Sequence, residues 1–163
     1  MALGRALRVG ISALLLLGVG CSPSSEEQET ARQRELATAF APAFKTATAD
    51  YQQRMAAVQD RGRAALAGGE DGAVVEVYRS LRDASEEAAE DFEGIEPPDA
   101  VVAQHRSLVE NLRRQRDALD EVIDAAGREA NEDLTASLND LAELLVDFTT
   151  IHKAIDQELA QGP

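Results

Sequence analysis

The sequence predicts an all-helical protein, and the arrangement it favours is an antiparallel up-down-up-down four-helix bundle. After residue 30, apolar residues recur at alternating spacings of three and four, the period of helices packed at shallow angles. Glycine and proline divide this pattern into four runs, and short connections favour antiparallel neighbours. With four Phe, two Tyr and no Trp, the core must consist mainly of Leu, Val, Ile and Ala.

The first two runs carry their own stop signals. The first extends from Leu36 to Leu66 and ends at Gly68-Gly69. It contains Pro42, which is expected to kink or divide the helix, because proline lacks an N–H group and clashes with the preceding turn. The second run, Val74 to Phe92, stops at Gly94, which can adopt the left-handed conformation that closes a helix.

A proline pair forms the firmest boundary in the chain. Pro97-Pro98 prevents continuation of the second helix, and Asp99 adds negative charge at the positive end of the next one. The third run then extends from Val101 to Ala126 and the fourth from Leu134 to Leu159. If the break near Gly127 is only a kink, the fold has three helices; an elongated hairpin that dimerises through its seam is a further alternative.

Residues 1–20 have the organisation of a secretory signal peptide. Arg5 and Arg8 precede an apolar run from Val9 to Val19, and small residues lead into Cys21. The run of eleven residues is shorter than the roughly 20 that a membrane-spanning helix needs. The sequence therefore predicts export without a permanent span.

The sole cysteine follows this leader directly. The arrangement resembles the bacterial lipoprotein signal, with Gly18 where that signal usually has Leu. The resemblance implies that Cys21 is diacylated on sulfur and becomes the mature N-terminus. Ser22 in place of Asp resembles the outer-membrane signal of a diderm bacterium. The alternative is an ordinary signal peptide that leaves Cys21 as an exposed thiol.

A polar tether is predicted to join the anchor to the bundle. The tether covers residues 21–30, and the single helical domain covers residues 31–163. Ser24 with Glu27, or Ser25 with Gln28, has the spacing of a capping box, so a helix is expected to begin almost at once. The bundle would then lie close to the membrane.

The chain is strongly acidic, with 16 basic and 30 acidic residues and a net charge of −14. Since Arg5 and Arg8 belong to the leader, the part after it has two fewer positive charges. Such a domain repels nucleic acid and anionic lipid headgroups. A nucleic-acid partner is therefore excluded, and a protein partner is favoured.

The two histidines, His105 and His152, occupy seam positions where the period calls for apolar residues. A turn near residue 129 would place them at one level of the bundle. A turn near Pro97 would set His105 opposite Ala88, and a turn near residue 69 or 70 would set Ala88 opposite Tyr51. The predicted layer therefore contains Tyr51, Ala88, His105 and His152.

Such a layer could hold a metal or a small ligand, because imidazole is a common metal ligand and bundle cores house such sites. Alternatively, the histidines bond one another or Tyr51 and fix the helix register. The absence of any Glu-x-x-His pair excludes a ferritin-like dimetal site. Met55 with His152 invites comparison with b-type cytochromes, but Met55 falls one turn away and is better explained as core filling. No cofactor is predicted, and Gln115 is interpreted either as a register-setting polar contact or as a solvated edge residue, of which the second is preferred.

The stretch from Phe92 to Ala126 is similar to a pattern in small bacterial helical lipoproteins of unassigned function. The shared features are Glu96-Pro97-Pro98, a histidine seven residues after the second proline, and helical spacing of Leu, Val and Ala. The resemblance implies a helix-Pro-Pro-helix corner with His105 near the start of a helix. It brings no activity with it.

The leading functional hypothesis is a non-enzymatic envelope lipoprotein, anchored to the cell membrane or outer membrane, that acts as a partner-binding or structural module. No serine lies in a Gly-x-Ser-x-Gly turn, and the one cysteine is assigned to the anchor. The alternative is a small-ligand or metal-binding bundle that uses Tyr51, His105 and His152.

Overall fold

A computed structural model describes residues 24–68, 72–128 and 130–161, so Cys21 and the predicted leader lie outside the described residues. Within these ranges the chain forms helices and no strand. The helices are α1 (Ser25–Gly68), α2 (Ala73–Glu93), α3 (Val102–Gly127) and α4 (Asn131–Gln161), with a 3-10 turn at Asp99–Val101. Consecutive helices pack on one another, which confirms the all-α, four-helix prediction. No described helix combines the length and the apolar character needed to cross a membrane.

The start of α1 is a reciprocal capping box. The Ser24 N–H donates to Glu27 Oε2 at 2.8 Å, and the Glu27 N–H donates to Ser24 Oγ at 3.2 Å. Two N–H groups that would otherwise lack helix partners are thereby satisfied. As a result, residues 25–30, which the sequence assigned to the tether, are the first turns of α1.

Pro42 does not divide α1, which continues through it to Gly68. The side chains on either side of the proline explain why. Phe40 and Phe44 are both buried, and their rings stack with centroids 5.3 Å apart. Pro42 itself is exposed, so its ring lies on the solvent side of the helix. Packing of the two phenylalanines outweighs the hydrogen bond that proline removes.

The core has a main part at the end of the bundle that holds the Pro-Pro corner, and a smaller part toward the opposite end. Large, fully buried side chains fill the main part: Phe40, Phe44, Phe92, Leu108, Leu112 and Ile155. The smaller part is formed by Ala118, Leu119, Leu141 and Leu144. Both parts lie mostly where α3 contacts its neighbours, so α3 is the central packing element.

The corner between α2 and α3 differs from the prediction in its detail. Gly94 closes α2 with φ −69°, an ordinary right-handed conformation, so the expected left-handed closure is wrong. The chain then passes the prolines and forms the 3-10 turn, in which the Val101 N–H donates to the Pro98 carbonyl at 3.0 Å. Val101 and Pro98 are both buried and fix the corner against the core.

This long corner shifts the register between α2 and α3. Arg82 pairs with Asp120 at 3.3 Å, and Glu86 pairs with Arg116 at 3.7 Å. The midpoint of either pair is residue 101, whereas the sequence argument placed the reversal near Pro97. Ala88 is therefore not directly opposite His105, which instead bonds the Phe92 carbonyl one turn further along α2. The turn expected near residue 69 or 70 lies outside the described residues, but Gly62 faces Val77 across α1 and α2, in agreement with the register that such a turn predicts.

Candidate functional site

His105 caps the end of α2. Its Nε2 lies 2.9 Å from the Phe92 carbonyl oxygen, and because a carbonyl only accepts, Nε2 carries the hydrogen. That carbonyl is one of the last four of α2, which lack partners within the helix. Burial lowers the pKa of His105 from its ordinary 6.5, and the hydrogen bond to Phe92 partly opposes this shift. His105 therefore favours its neutral form and holds the corner.

His152 has different partners, on the opposite side of the bundle. Its Nδ1 lies 3.1 Å from Asp156 Oδ2, and its Nε2 lies 3.0 Å from Thr48 Oγ1. The carboxylate fixes Nδ1 as a donor, so in the neutral ring Nε2 accepts from the Thr48 hydroxyl. The other six threonines of the chain donate to the carbonyl four residues earlier. Thr48 instead joins α1 to α4.

The order hydroxyl, imidazole, carboxylate is also that of hydrolase triads. Acyl transfer additionally requires donors aimed at the oxyanion that develops in the transition state. Thr48 and His152 lie inside two continuous helices, where backbone N–H groups are bonded to helix carbonyls. The arrangement accordingly orients His152 between two helices.

Tyr51 belongs to a buried polar network at another level. Its hydroxyl donates to Gln115 Oε1 at 3.4 Å, and Gln115 Nε2 donates to Asn111 Oδ1 at 2.7 Å. Asn111 Nδ2 continues to the Leu144 carbonyl of α4 at 3.1 Å. Burial raises the pKa of Tyr51, and a hydrogen bond with Ser85 partly opposes this. Gln115 is 1% exposed, so the preferred interpretation as a solvated edge residue is wrong, and the alternative of a polar contact between helices is the one observed.

Of the three polar side chains of the predicted layer, Tyr51 and His152 line one groove between α1 and α4, whereas His105 bonds the end of α2. Gln115, which bonds Tyr51, lies ten residues beyond His105, or about 15 Å along α3. A row of ring contacts, from His105 to Phe40, Phe44 and His152, connects the two histidines at centroid distances of 5.6, 5.3 and 5.1 Å. Among the residues described, no group of three or more His, Cys, Asp or Glu side chains is arranged to hold a metal ion.

A groove of about 510 Å³ runs between α1 and α4. Its apolar part contains Tyr51, Met55 and Phe148, and the Tyr51 and Phe148 rings meet edge to face at 5.2 Å. His152, Lys153 and Asp156 lie at its polar end. Met55 packs against the core beside this groove, in keeping with its interpretation as core filling.

The surface around this groove carries no charge over several turns. We call it the α1/α4 face and define it by eight exposed residues: Ala49, Gln52, Ala56, Gln59, Ala142, Leu145, Val146 and Thr149. Val146 is 67% exposed and Leu145 38% exposed, two of the four large apolar residues that stand out from the described surface. The face is thus partly apolar, and otherwise carries only small or neutral polar side chains.

At the level of this face, charged side chains on both helices are directed away from it, whereas Lys153 and Asp156 line the groove at its end. On α4, Asp140, Glu143 and Asp147 all line the groove on the other side of the helix, against α3. On α1, Arg54 pairs with Glu87 at 3.0 Å and Asp91 at 2.8 Å, both on α2. Asp50 lies one turn before Arg54 and so shares its side of the helix.

The opposite side of the bundle, formed by α2 and α3, is densely charged. Its exposed residues include Glu76, Arg79, Asp83, Glu86, Glu87, Glu90, Asp91, Glu93, Arg106, Glu110, Arg113, Arg114, Asp117, Asp120, Glu121 and Asp124. Several pair across the two helices, as Arg113 does with Glu93 at 2.6 Å. We call this the α2/α3 side.

Sequence reasoning missed the α1/α4 face, although the signal was present: from Leu134 to His152 the only charges, Asp140, Glu143 and Asp147, fall on one side of a helix.

The chain matches no family model, no curated protein and no solved structure.

Proposed function

We propose that this protein is a non-enzymatic envelope lipoprotein whose bundle, tethered by a lipid on Cys21, binds a partner protein through the α1/α4 face. The observation that carries the proposal is the contrast between this uncharged, partly apolar face and a chain of net charge −14. Exposed apolar patches bordered by polar residues are typical of protein interaction sites, and charges are depleted from the centres of interfaces.

The start of α1 supports a defined position for this face. The helix begins at Ser25, four residues after Cys21, and its first turn is held by the capping box. From Ser25 to Thr48 the helix rises about 35 Å. A lipid on Cys21 would therefore present the α1/α4 face on the flank of a helical stalk, some distance from the bilayer and directed sideways along it.

The alternative, a ligand or metal site formed by Tyr51, His105 and His152, has less support. His105 bonds the end of α2, while Tyr51 bonds Gln115, which lies about 15 Å from His105 along α3. A bound metal would have to draw these groups out of bonds that they already make.

The tether can be tested by metabolic labelling with an alkyne analogue of palmitate. The full chain should incorporate the label and sediment with membranes. Cys21→Ser should lose both properties, because no other thiol is present, whereas Ser22→Ala should retain them. Label in Cys21→Ser, or its absence from both proteins, would exclude Cys21 as the anchor.

Partner binding can be tested with a photo-reactive phenylalanine placed in the full chain. At Val146, on the α1/α4 face, we expect a discrete cross-linked species in intact cells. The matched control is Val102, which is 40% exposed but lies beside the corner. Equal yields at both positions would show that the face has no specific partner.

A further inference from the structure

We propose that the partner of the α1/α4 face is a second copy of this chain, related to the first by a two-fold axis parallel to the helices. This inference rests on the proposed function for the tether and names the partner of the same face. It is carried by the distribution of charge, by the heights of the residues on α1 and α4, and by the size of the face.

The charge distribution matches the face to another like it. A partner that was recognised by its charge would meet opposite charges, but the face offers only Ala, Gln, Leu, Val and Thr. Two copies of a chain with net charge −14 repel one another unless their charged sides stay apart. Pairing through the α1/α4 face achieves this separation.

In such a pair the two α2/α3 sides would be directed outward. The pair would have four layers of helices, with the two α2/α3 sides outermost. Because helices pack about 10 Å apart, the three spacings between these layers would separate the outer helices by about 30 Å. That separation is several times the Debye length of about 8 Å at physiological ionic strength. Repulsion between the charged sides would therefore be largely screened.

The residue heights also fit a two-fold arrangement. Thr48 bonds His152 and Tyr51 contacts Phe148, so residue numbers at one level on α1 and α4 add to about 200. A two-fold axis parallel to the helices preserves height and sets α1 of one copy beside α4 of the other. Leu145 and Val146 of one copy then lie at about the same height as Ala56 on α1 of the other copy. Large side chains on one copy face a small one on its partner, as close helix packing requires.

The same axis suits two tethered molecules. It directs both α1 helices the same way from the membrane, so both lipids on Cys21 could insert in one leaflet. The face is about 20 Å long and two helices wide, which gives roughly 800–1,000 Å² buried in total, below the roughly 1,200–2,000 Å² of stable specific interfaces and in the range of weak ones. A pair of this size is weak in dilute solution and gains from confinement on a surface.

The test is cysteine cross-linking of the full chain in membranes. Two differently tagged copies are expressed together, one with Ala56→Cys and the other with Val146→Cys, and mild oxidant is added. We expect a disulfide-linked species that contains both tags. The control pair is Val74→Cys with Val102→Cys, two exposed valines away from the face at 44% and 40% exposure. Copies without an added cysteine show any background from Cys21.

Adding Ala142→Glu to both copies of the test pair should lower the yield at least about tenfold, because each new carboxylate would be buried against the uncharged surface of α1 in the other copy without a partner. Val102→Glu in the same background should leave the yield unchanged. Ala142 is exposed, so the glutamate does not disturb the core, and circular dichroism confirms the fold.

Equal yields from the test and control pairs would overturn the inference, because random collision would explain both. The inference would also be overturned if Val146 were linked to a different protein and no species with both tags formed. The proposed function would stand in that case. Absence of any linked species at Val146, with normal lipid labelling, would contradict both the second copy and the partner-binding face, and would leave only the tether.

Discussion

The two long sides of the bundle differ in surface charge and in how completely they bury their apolar side chains. The α2/α3 side has dense charge on its surface and completely buried side chains beneath it, including Phe92, Leu108 and Leu112. The α1/α4 side leaves a groove between its helices and keeps Phe148 and Met55 only partly buried. The difference is that the α2/α3 side combines a charged surface with a fully buried interior, whereas the α1/α4 face leaves apolar side chains partly exposed.

The ion pairs follow the same division. Arg82, Arg113 and Arg116 connect α2 to α3, and Arg54 connects α1 to α2. Between α1 and α4 the polar link is instead the cluster of Thr48, His152 and Asp156 at one end of the groove. Exposed ion pairs each contribute only about 0–1 kcal/mol, so they mark where helices meet more than they hold them together.

The sharpest way to test this comparison is to remove equal side chains from the two regions. Leu112→Ala, in α3, empties a completely buried position and should lower the free energy of unfolding by about 2–5 kcal/mol. Leu145→Ala, in α4, removes a side chain that is 38% exposed and should cost less than about 1 kcal/mol. Urea unfolding at low micromolar concentration measures both, since self-association would otherwise add to the stability.

Similar losses of unfolding free energy from Leu112→Ala and Leu145→Ala would contradict the contrast between a fully buried interior under α2 and α3 and partly exposed side chains on α1 and α4. Circular dichroism in native buffer provides the control, because both variants must retain their helices for the comparison to hold. A larger loss for Leu145 that appears only at high protein concentration would point to the interface between copies.

A smaller effect is expected from the polar network that joins α1, α3 and α4. Gln115→Leu keeps the side-chain volume but leaves the Tyr51 hydroxyl and Asn111 Oδ1 without the bonds that Gln115 makes. Buried groups deprived of a partner cost about 1–3 kcal/mol, so the free energy of unfolding should fall by that amount. The matched change on the α1/α4 face, Gln52→Leu, should stay within about 0.5 kcal/mol.

Tyr51→Phe supplies the second half of this test. If the network acts as a unit, combining Tyr51→Phe with Gln115→Leu should cost less than the two single changes added together. Strict additivity would mean that the bond of 3.4 Å between these side chains contributes nothing.

The helical pattern was sufficient to predict the fold because it depends on local spacing. The four runs, the glycine break after α1 and the proline corner all correspond to observed elements. Even the Ser24–Glu27 capping box was visible, since it needs only two residue types three positions apart.

The polar layer could not be predicted in the same way, because it depends on how many residues each connection uses. Counting from Pro97 assumed a tight reversal, but the corner extends from Gly94 through the 3-10 turn to Val101. Every position on α3 is displaced relative to α2, so Tyr51 meets Gln115 instead of His105. Gln115 was misjudged for the same reason, because its partner came from a helix that sequence spacing placed at another level.

His105 bonds the end of α2 at the corner and makes the stability of the bundle depend on pH. Its pKa in the folded state is lowered from 6.5, mainly by burial. Well above pH 6.5 the ring is neutral in both states and contributes no pH dependence. As the pH falls below 6.5, the unfolded chain binds the proton first, so folded stability declines until the folded pKa is reached, by at most about 1.4 kcal/mol per pH unit.

His105→Gln can still donate to the Phe92 carbonyl but does not titrate. The unfolding free energy of the wild type minus that of His105→Gln should therefore be constant from pH 8 to about 7 and decrease below 6.5. Carboxylates titrate alike in both proteins and cancel in this difference. A difference that stays flat from pH 8 down to pH 5 would show that His105 is no less easily protonated in the bundle than in the unfolded chain, and that the corner is not buried as the structure has it.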